Sequence, residues 1–180
     1  MESSELFLII WATIATILAI VFHHIAKKQR MAIIMQQMGF IMIGDETDGT
    51  IIPQDLGLSW AISKKKEDFL GKRAQERAFM ADPERWQLVG LETVDGSVIP
   101  DGAYAVSEGE NANGQRNVQG RVTSTYFSPT LGKGIAMGLI HKGPERMGET
   151  VDFPGTDGKT YTAKIVSAVF YDPEGEKQNV

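Results

Sequence analysis

The stretch Gly120-Arg121-Val122-Thr123-Ser124-Thr125-Tyr126-Phe127-Ser128-Pro129-Thr130-Leu131-Gly132-Lys133-Gly134-Ile135-Ala136-Met137-Gly138-Leu139-Ile140 decides the fold. Val118, Val122 and Tyr126 share one side of a period-2 pattern, while Gln119, Arg121, Thr123 and Thr125 take the other, which predicts a half-buried strand. Ser128-Pro129 breaks that run. Beyond it, Ile135, Met137 and Leu139 alternate with Gly134, Ala136 and Gly138, so a second strand carries bulk on one face and almost nothing on the other. A neighbouring strand or helix, or a ligand, must approach the bare face closely.

Outward from these strands the same grammar continues. Upstream, an apolar-rich run from Trp86 to Val94 ends at Asp95-Gly96, a hairpin signal, and Ser97-Val98-Ile99 is expected to return as its partner before the turn at Pro100-Asp101-Gly102. Ala103 to Ser107 reads as a short strand, and the glycines and asparagines between Gly109 and Asn117 as a loop. Downstream, Val151 and Phe153 mark a short strand, and the turn at Pro154-Gly155-Thr156-Asp157-Gly158 leads into a last strand from Thr160 to Tyr171. Short strands at such spacing predict a small antiparallel barrel or sandwich.

The segment before Trp86 is mixed. Phe40-Ile41-Met42-Ile43 predicts a short strand, and Gly44-Asp45-Glu46-Thr47-Asp48-Gly49-Thr50 a solvated acidic loop; its carboxylates lack the alternating spacing and distal Glu of an EF-hand calcium site. A further strand is expected to end at Ile62. Lys64-Lys65-Lys66 then reads either as a solvated edge that discourages strand pairing or as an anion contact. Lys72 to Met80 has helical composition and is stopped by Asp82-Pro83.

The N-terminus differs again. From Leu6 to Phe22 the chain is uncharged, at the lower limit for a membrane-crossing helix, and Lys27, Lys28 and Arg30 flank it on the C-terminal side. A transmembrane helix is expected, with the lipid bilayer as partner, the N-terminus outside and the rest of the chain in the cytoplasm. A secretory signal is disfavoured by the acidic Glu2 and Glu5; a buried helix of a soluble protein is the remaining alternative. Met31 to Met38 continues the helix. The expected organisation is therefore 1–38 membrane helix and juxtamembrane segment, 39–84 a partial α+β segment, and 85–180 a β-barrel domain. If the joint near Met38-Gly39 arose by fusion or truncation, the remainder alone is cytoplasmic.

Composition excludes several functions. A net charge of −5 argues against a nucleic-acid surface, which needs clustered Lys and Arg. The absence of cysteine removes disulfides, thiolate nucleophiles and zinc–thiolate sites. His23, His24 and His141 are too scattered for a metal set, and neither a phosphate-binding glycine loop nor a nucleophile–base–acid triad is present. No catalytic or metal-ligating residue is expected.

The string Val122-Thr123-Ser124, followed by Ser128-Pro129-Thr130-Leu131-Gly132-Lys133-Gly134-Ile135-Ala136-Met137-Gly138, resembles the C-terminal barrel of the glycine-cleavage T-protein (aminomethyltransferase) family, most closely the branch of heterotetrameric sarcosine oxidase alpha subunits. The resemblance runs from about Gly39 to the C-terminus. It implies a mainly β fold with some α and an antiparallel barrel. It further implies tetrahydrofolate as cofactor in one-carbon transfer coupled to oxidative demethylation of sarcosine, flavin and NAD sites on other portions or subunits, and the other oxidase subunits as partners. By the same resemblance the family's catalytic aspartate lies upstream without a counterpart here. Gln37 stands where relatives carry a pocket glutamate, Trp60 lies in the string near the folate pocket, and Lys66 takes about the place of a substrate-contacting cation. The alternative is a catalytically inactive binding module, or a fused or truncated product without independent activity.

Overall fold

The computed structural model describes residues 3–178, and the side chains of residues 13–177. The chain divides into two compact units, Met1–Ile34 and Met35–Val180.

The first unit is helical. Helix α1 (Ser3–Gln37) is continuous, as the absence of Gly and Pro within it allows. Among the described residues no helix is long and apolar enough to cross a membrane. About twenty residues are needed, and twenty counted from Thr13 take in His23, His24, Lys27, Lys28 and Arg30. The side chains of Leu6 to Ala12, the first part of the expected span, lie outside those described.

The second unit is built on β1 (Trp86–Thr93), β2 (Tyr104–Glu110), β3 (Arg116–Ser128), β4 (Lys133–His141), β5 (Thr150–Pro154) and β6 (Thr160–Val166). All neighbours pair antiparallel, in the order β1-β4-β3-β2-β5-β6, and the sheet closes as a barrel. Closure leaves no free edge to template aggregation. Val89, Leu91, Val122, Ile140, Phe153 and Ile165 supply most of the bulk inside, all essentially inaccessible to water.

The nearly bare face of β4 is closely approached, as its glycines predict. A Cβ added to Gly134 would lie 2.1 Å from the Ser97 carbonyl oxygen, and one on Gly138 would lie 2.8 Å from both the Arg121 carbonyl oxygen and Leu91 Cδ1. Protein packing, not a ligand, fills that space. The segment around Ser97 therefore does not form the return strand expected after Asp95-Gly96. β1 pairs with β4 and β6 instead, and Ser97–Ile99 lies against β4 as loop.

Other local expectations also change. Phe40–Ile43 is not a strand, and the segment ending near Ile62 forms two 3₁₀ turns, Pro53–Leu56 and Ser59–Ala61. Helix α2 (Lys72–Gln75) is one turn, shorter than the composition of Lys72 to Met80 implies. The last strand stops at Val166, and the chain continues as a tail. That tail passes so close to β1 that a Cβ on Gly90 would meet the Ser167 carbonyl oxygen at 2.2 Å.

Replacing Gly134 by Val is expected to cost about 3 kcal/mol or to prevent folding, because the obstructing atoms are backbone. Gly109→Ala, where nothing lies within 4 Å of the new carbon, should stay within about 0.5 kcal/mol. Urea unfolding of the two variants separates the cases.

Candidate functional site

A buried polar seam joins the chain before the barrel to β3. α1 ends in a left-handed glycine, Gly39 (φ +74°), with Gly39 N–H donating to the Gln36 carbonyl and Phe40 N–H to that of Met35, both at 3.0 Å. This is the Schellman pattern, and only glycine suits it here. A side chain would also strike Val169 Cγ2 at 2.8 Å. The Gln37 carbonyl accepts from the N–H groups of Phe170 and Tyr171, both at 2.9 Å, so the tail closes over the helix end.

The glutamine side chains turn into the barrel wall. Gln36 Nε2 donates to the Ser124 carbonyl at 2.9 Å, and Gln37 Nε2 donates to Ser128 Oγ. Gln36 Oε1 is buried without a protein partner. Glu46 is fully buried. Its Oε2 accepts from Met42 N–H at 2.7 Å, while its Oε1 accepts from Ser124 Oγ at 2.7 Å and Thr123 Oγ1 at 2.9 Å. Consecutive residues of a regular strand face opposite ways. Here Val122 pairs with Gly138 and Ser124 with Met137, so Thr123 is the extra residue of a β-bulge, and both hydroxyls reach one carboxylate.

The reading of Gly44–Thr50 as a solvated loop is thus corrected at Glu46, which holds the loop to β3. Asp48 stays at the surface. There the Thr50 hydroxyl and N–H, and then Arg121 at 3.0 Å, hold its carboxyl below the usual range. Burial, with Asp45, Asp101 and Glu46 nearby, raises the Tyr126 phenol. The Ser124–Glu46 pair has no histidine and no solvent access, so it is an anchor rather than an activated nucleophile.

A second centre forms around Arg85, just before β1. Arg85 Nε donates to both Asp55 carboxylate oxygens at 2.9 and 3.1 Å, and Nη2 donates to Asp55 Oδ2 at 2.7 Å. Nη2 also donates to the Thr50 carbonyl at 2.6 Å, Nη1 to the Phe79 carbonyl at 3.1 Å, and the guanidinium lies 4.9 Å from the Phe79 ring centre. The Asp55 hydrogen bonds raise the Arg85 pKa. Beside this pair opens a groove of about 530 Å³, with Ile62, Phe69 and Met80 as apolar lining and Lys64, Lys66 and Lys72 as cations. Lys72 Nζ donates to the Glu67 carbonyl; among the described residues Lys64 and Lys66 form no ion pair.

Of the residues singled out from sequence, Lys66 lines the groove, whereas Gln37 is in the polar seam and Trp60 stands exposed; neither of the latter two borders the groove. Among the described residues no group of three or more His, Asp or Glu side chains converges as a metal site requires.

Residues 87–172 match the family described as "Glycine cleavage T-protein C-terminal barrel domain". The chain is 37% identical over 153 residues to the sarcosine oxidase subunit alpha of Corynebacterium sp. (strain U-96), covering 84% of this chain and 16% of that protein. It is 38% identical over 134 residues to the aminomethyltransferase of Thermotoga sp. (strain RQ2), covering 73% of this chain and 33% of the relative. The crystal structure of the glycine cleavage system aminomethyltransferase T from Bartonella henselae superposes with a TM-score of 0.62 at 26% identity, over 77% of this chain and 37% of that one. The chain thus spans about a sixth of the alpha subunit and a third of the aminomethyltransferases. The polar seam and the Arg85 centre both attach the preceding segment to the strands.

Glu46→Ala leaves two hydroxyls and an amide without their acceptor and should cost about 2–4 kcal/mol. Glu46→Gln, which keeps one acceptor oxygen, should lose less; chemical unfolding reads both. Arg85→Ala strands the Asp55 carboxylate and should cost about 3–5 kcal/mol. Limited proteolysis of that variant should cut first between residues 56 and 84.

Proposed function

We propose that this chain contributes the C-terminal barrel and part of the folate-binding lobe to tetrahydrofolate-dependent one-carbon transfer, coupled to sarcosine oxidation as in a sarcosine oxidase alpha subunit. The observation that carries the reading is the length of the match. At 153 residues it extends beyond the barrel at 87–172 into the segment that holds Lys66 and its groove.

The groove's chemistry suits one end of a folate. Ile62, Phe69 and Met80 offer apolar contact to an aromatic body, and Lys64 and Lys66, which form no ion pair among the described residues, offer charge to carboxylates. Lysine acts there as a point charge, without the fork that arginine would bring. Gln37 does not fit a pocket role, because its amide is committed to Ser128 inside the polar seam. When bound, tetrahydrofolate would itself supply the nitrogen that takes up the one-carbon unit. The residues of this chain would hold its anionic end and shield one side from water. Of the carboxylates that line the groove, Asp55, Glu76 and Asp82, the first is locked to Arg85. Flavin and NAD chemistry would belong to other portions of such an oxidase.

Titration calorimetry with tetrahydrofolate tests this. Binding in the micromolar to millimolar range, weakened about tenfold by Lys66→Ala, is expected for one desolvated charge contact. No heat with the wild-type chain, or identical affinity in the variant, removes the folate reading and leaves the inactive binding module.

A further inference from the structure

Helix α1 is the only element of the first unit, and a lone helix has nothing of its own to bury side chains against. Ile14, Leu18, Val21 and Ile25 follow one another along it at alternating steps of four and three, and each is 44–49% exposed. Phe7 and Trp11 extend the same steps backwards in the sequence, and Lys28 takes the next position forwards. Apolar residues sustained at this spacing make the seam of paired helices. Thr16, Ala19, His23, Ala26 and Arg30 fall at the same steps on the opposite side, so bulk is sorted to one face. Ile17 and Phe22 flank the seam, and Ile20 alone among the large apolar residues between Thr13 and Ala26 lies away from it. A bilayer would surround a spanning helix on every side, whereas one apolar seam calls for one partner helix.

We propose that α1 pairs antiparallel with α1 of a second copy of this chain, making the protein a dimer. Charge fixes the orientation. Between Glu5 and Lys27 the helix carries no Asp, Glu, Lys or Arg. An antiparallel pair that sets Leu18 against Ile14 of the second copy also sets Val21 against Trp11 and Ile25 against Phe7. The same register brings Glu5 level with Lys27 at both ends, and places Lys28 opposite Ser4. A parallel pair would put Lys28 against Lys28 in the seam and Glu5 against Glu5, where like charges repel. The paired length is about 40 Å, as 1.5 Å per residue gives for the stretch from Ser3 to Gln29. α1 lies outside the family match at 87–172, and the pairing is independent of folate binding.

Sedimentation equilibrium of the full chain, purified without detergent, tests this and should give twice the monomer mass. Leu18→Glu with Val21→Glu puts charge into the seam and should weaken the dimer by about a hundredfold or more. Thr16→Glu with His23→Glu, on the opposite side, should leave it intact. Urea unfolding of the barrel should be the same in both variants, which separates lost pairing from lost folding. The chain has no cysteine, so introduced thiols report the register. Phe7→Cys chains mixed with Ile25→Cys chains should cross-link on oxidation, and neither variant should do so alone. A monomeric wild-type chain, a dimer indifferent to the Leu18/Val21 variant, or cross-linking within either single-thiol variant would overturn the proposal. Flotation of the wild-type chain as a monomer with vesicles of phosphatidylcholine and phosphatidylglycerol would overturn it in favour of the bilayer.

Discussion

A fully buried carboxylate with no cation among its partners constrains everything before the barrel. Glu46 is held by two hydroxyls and one amide, and those donors come from opposite sides of the junction: Met42 from the incoming segment, Thr123 and Ser124 from β3. An isolated charge in an apolar interior is prohibitively costly, so this arrangement exists only when all three donors are in place. That requirement fixes where residues 39–48 lie on the barrel. The bulge at Thr123 is what makes it possible, since a regular strand would turn one hydroxyl away. Gln36 and Gln37, at the end of α1, repeat the device, donating to the same strand at Ser124 and Ser128.

The second constraint is the set of glycines that let backbone pass close to backbone. Gly134 admits the loop at Ser97, Gly90 admits the tail at Ser167, and Gly39 admits Val169 and Ala168. These contacts explain why the tail leaves the sheet after Val166. It crosses β1 at the one residue without a side chain and then delivers the amides of Phe170 and Tyr171 to the exposed carbonyl at the end of α1. The helix terminus and the chain terminus thereby satisfy each other.

The barrel was legible because period-2 alternation and a glycine-lined strand are local signals. The alternation holds at Val122, which is buried, while Val118 is half exposed and the bulge at Thr123 interrupts the pattern; the empty face of β4 is filled by packed backbone at Gly134 and Gly138. The polar seam was not legible. Glu46 sits among Asp45, Asp48 and two glycines, a composition that reads as solvent-facing, and its hydroxyl partners on β3 lie more than seventy residues away. Nothing in Thr123-Ser124-Thr125 announces a bulge. The hairpin expected after Asp95-Gly96 failed for a related reason: a turn signal says that the chain reverses, while the strand that pairs with β1 was settled by the close-packing face of β4. The apolar run from Leu6 lies only in part among the described side chains, and from Thr13 onward the cations that follow leave no stretch able to span.

Arg85 shows why the segment beyond the seam stays one-sided. Its guanidinium grips Thr50 and Asp55 at one end of the excursion and Phe79 at the other, so the chain between is a loop closed at its base by a single side chain. Closing a long loop at its ends costs little more than closing a shorter one, so the excursion is held without needing a core of its own. The absence of any buried residue from 56 to 88 follows from that architecture. A segment anchored this way keeps Trp60, Leu70 and Phe79 exposed, and among the described residues its Lys64 and Lys66 form no ion pair.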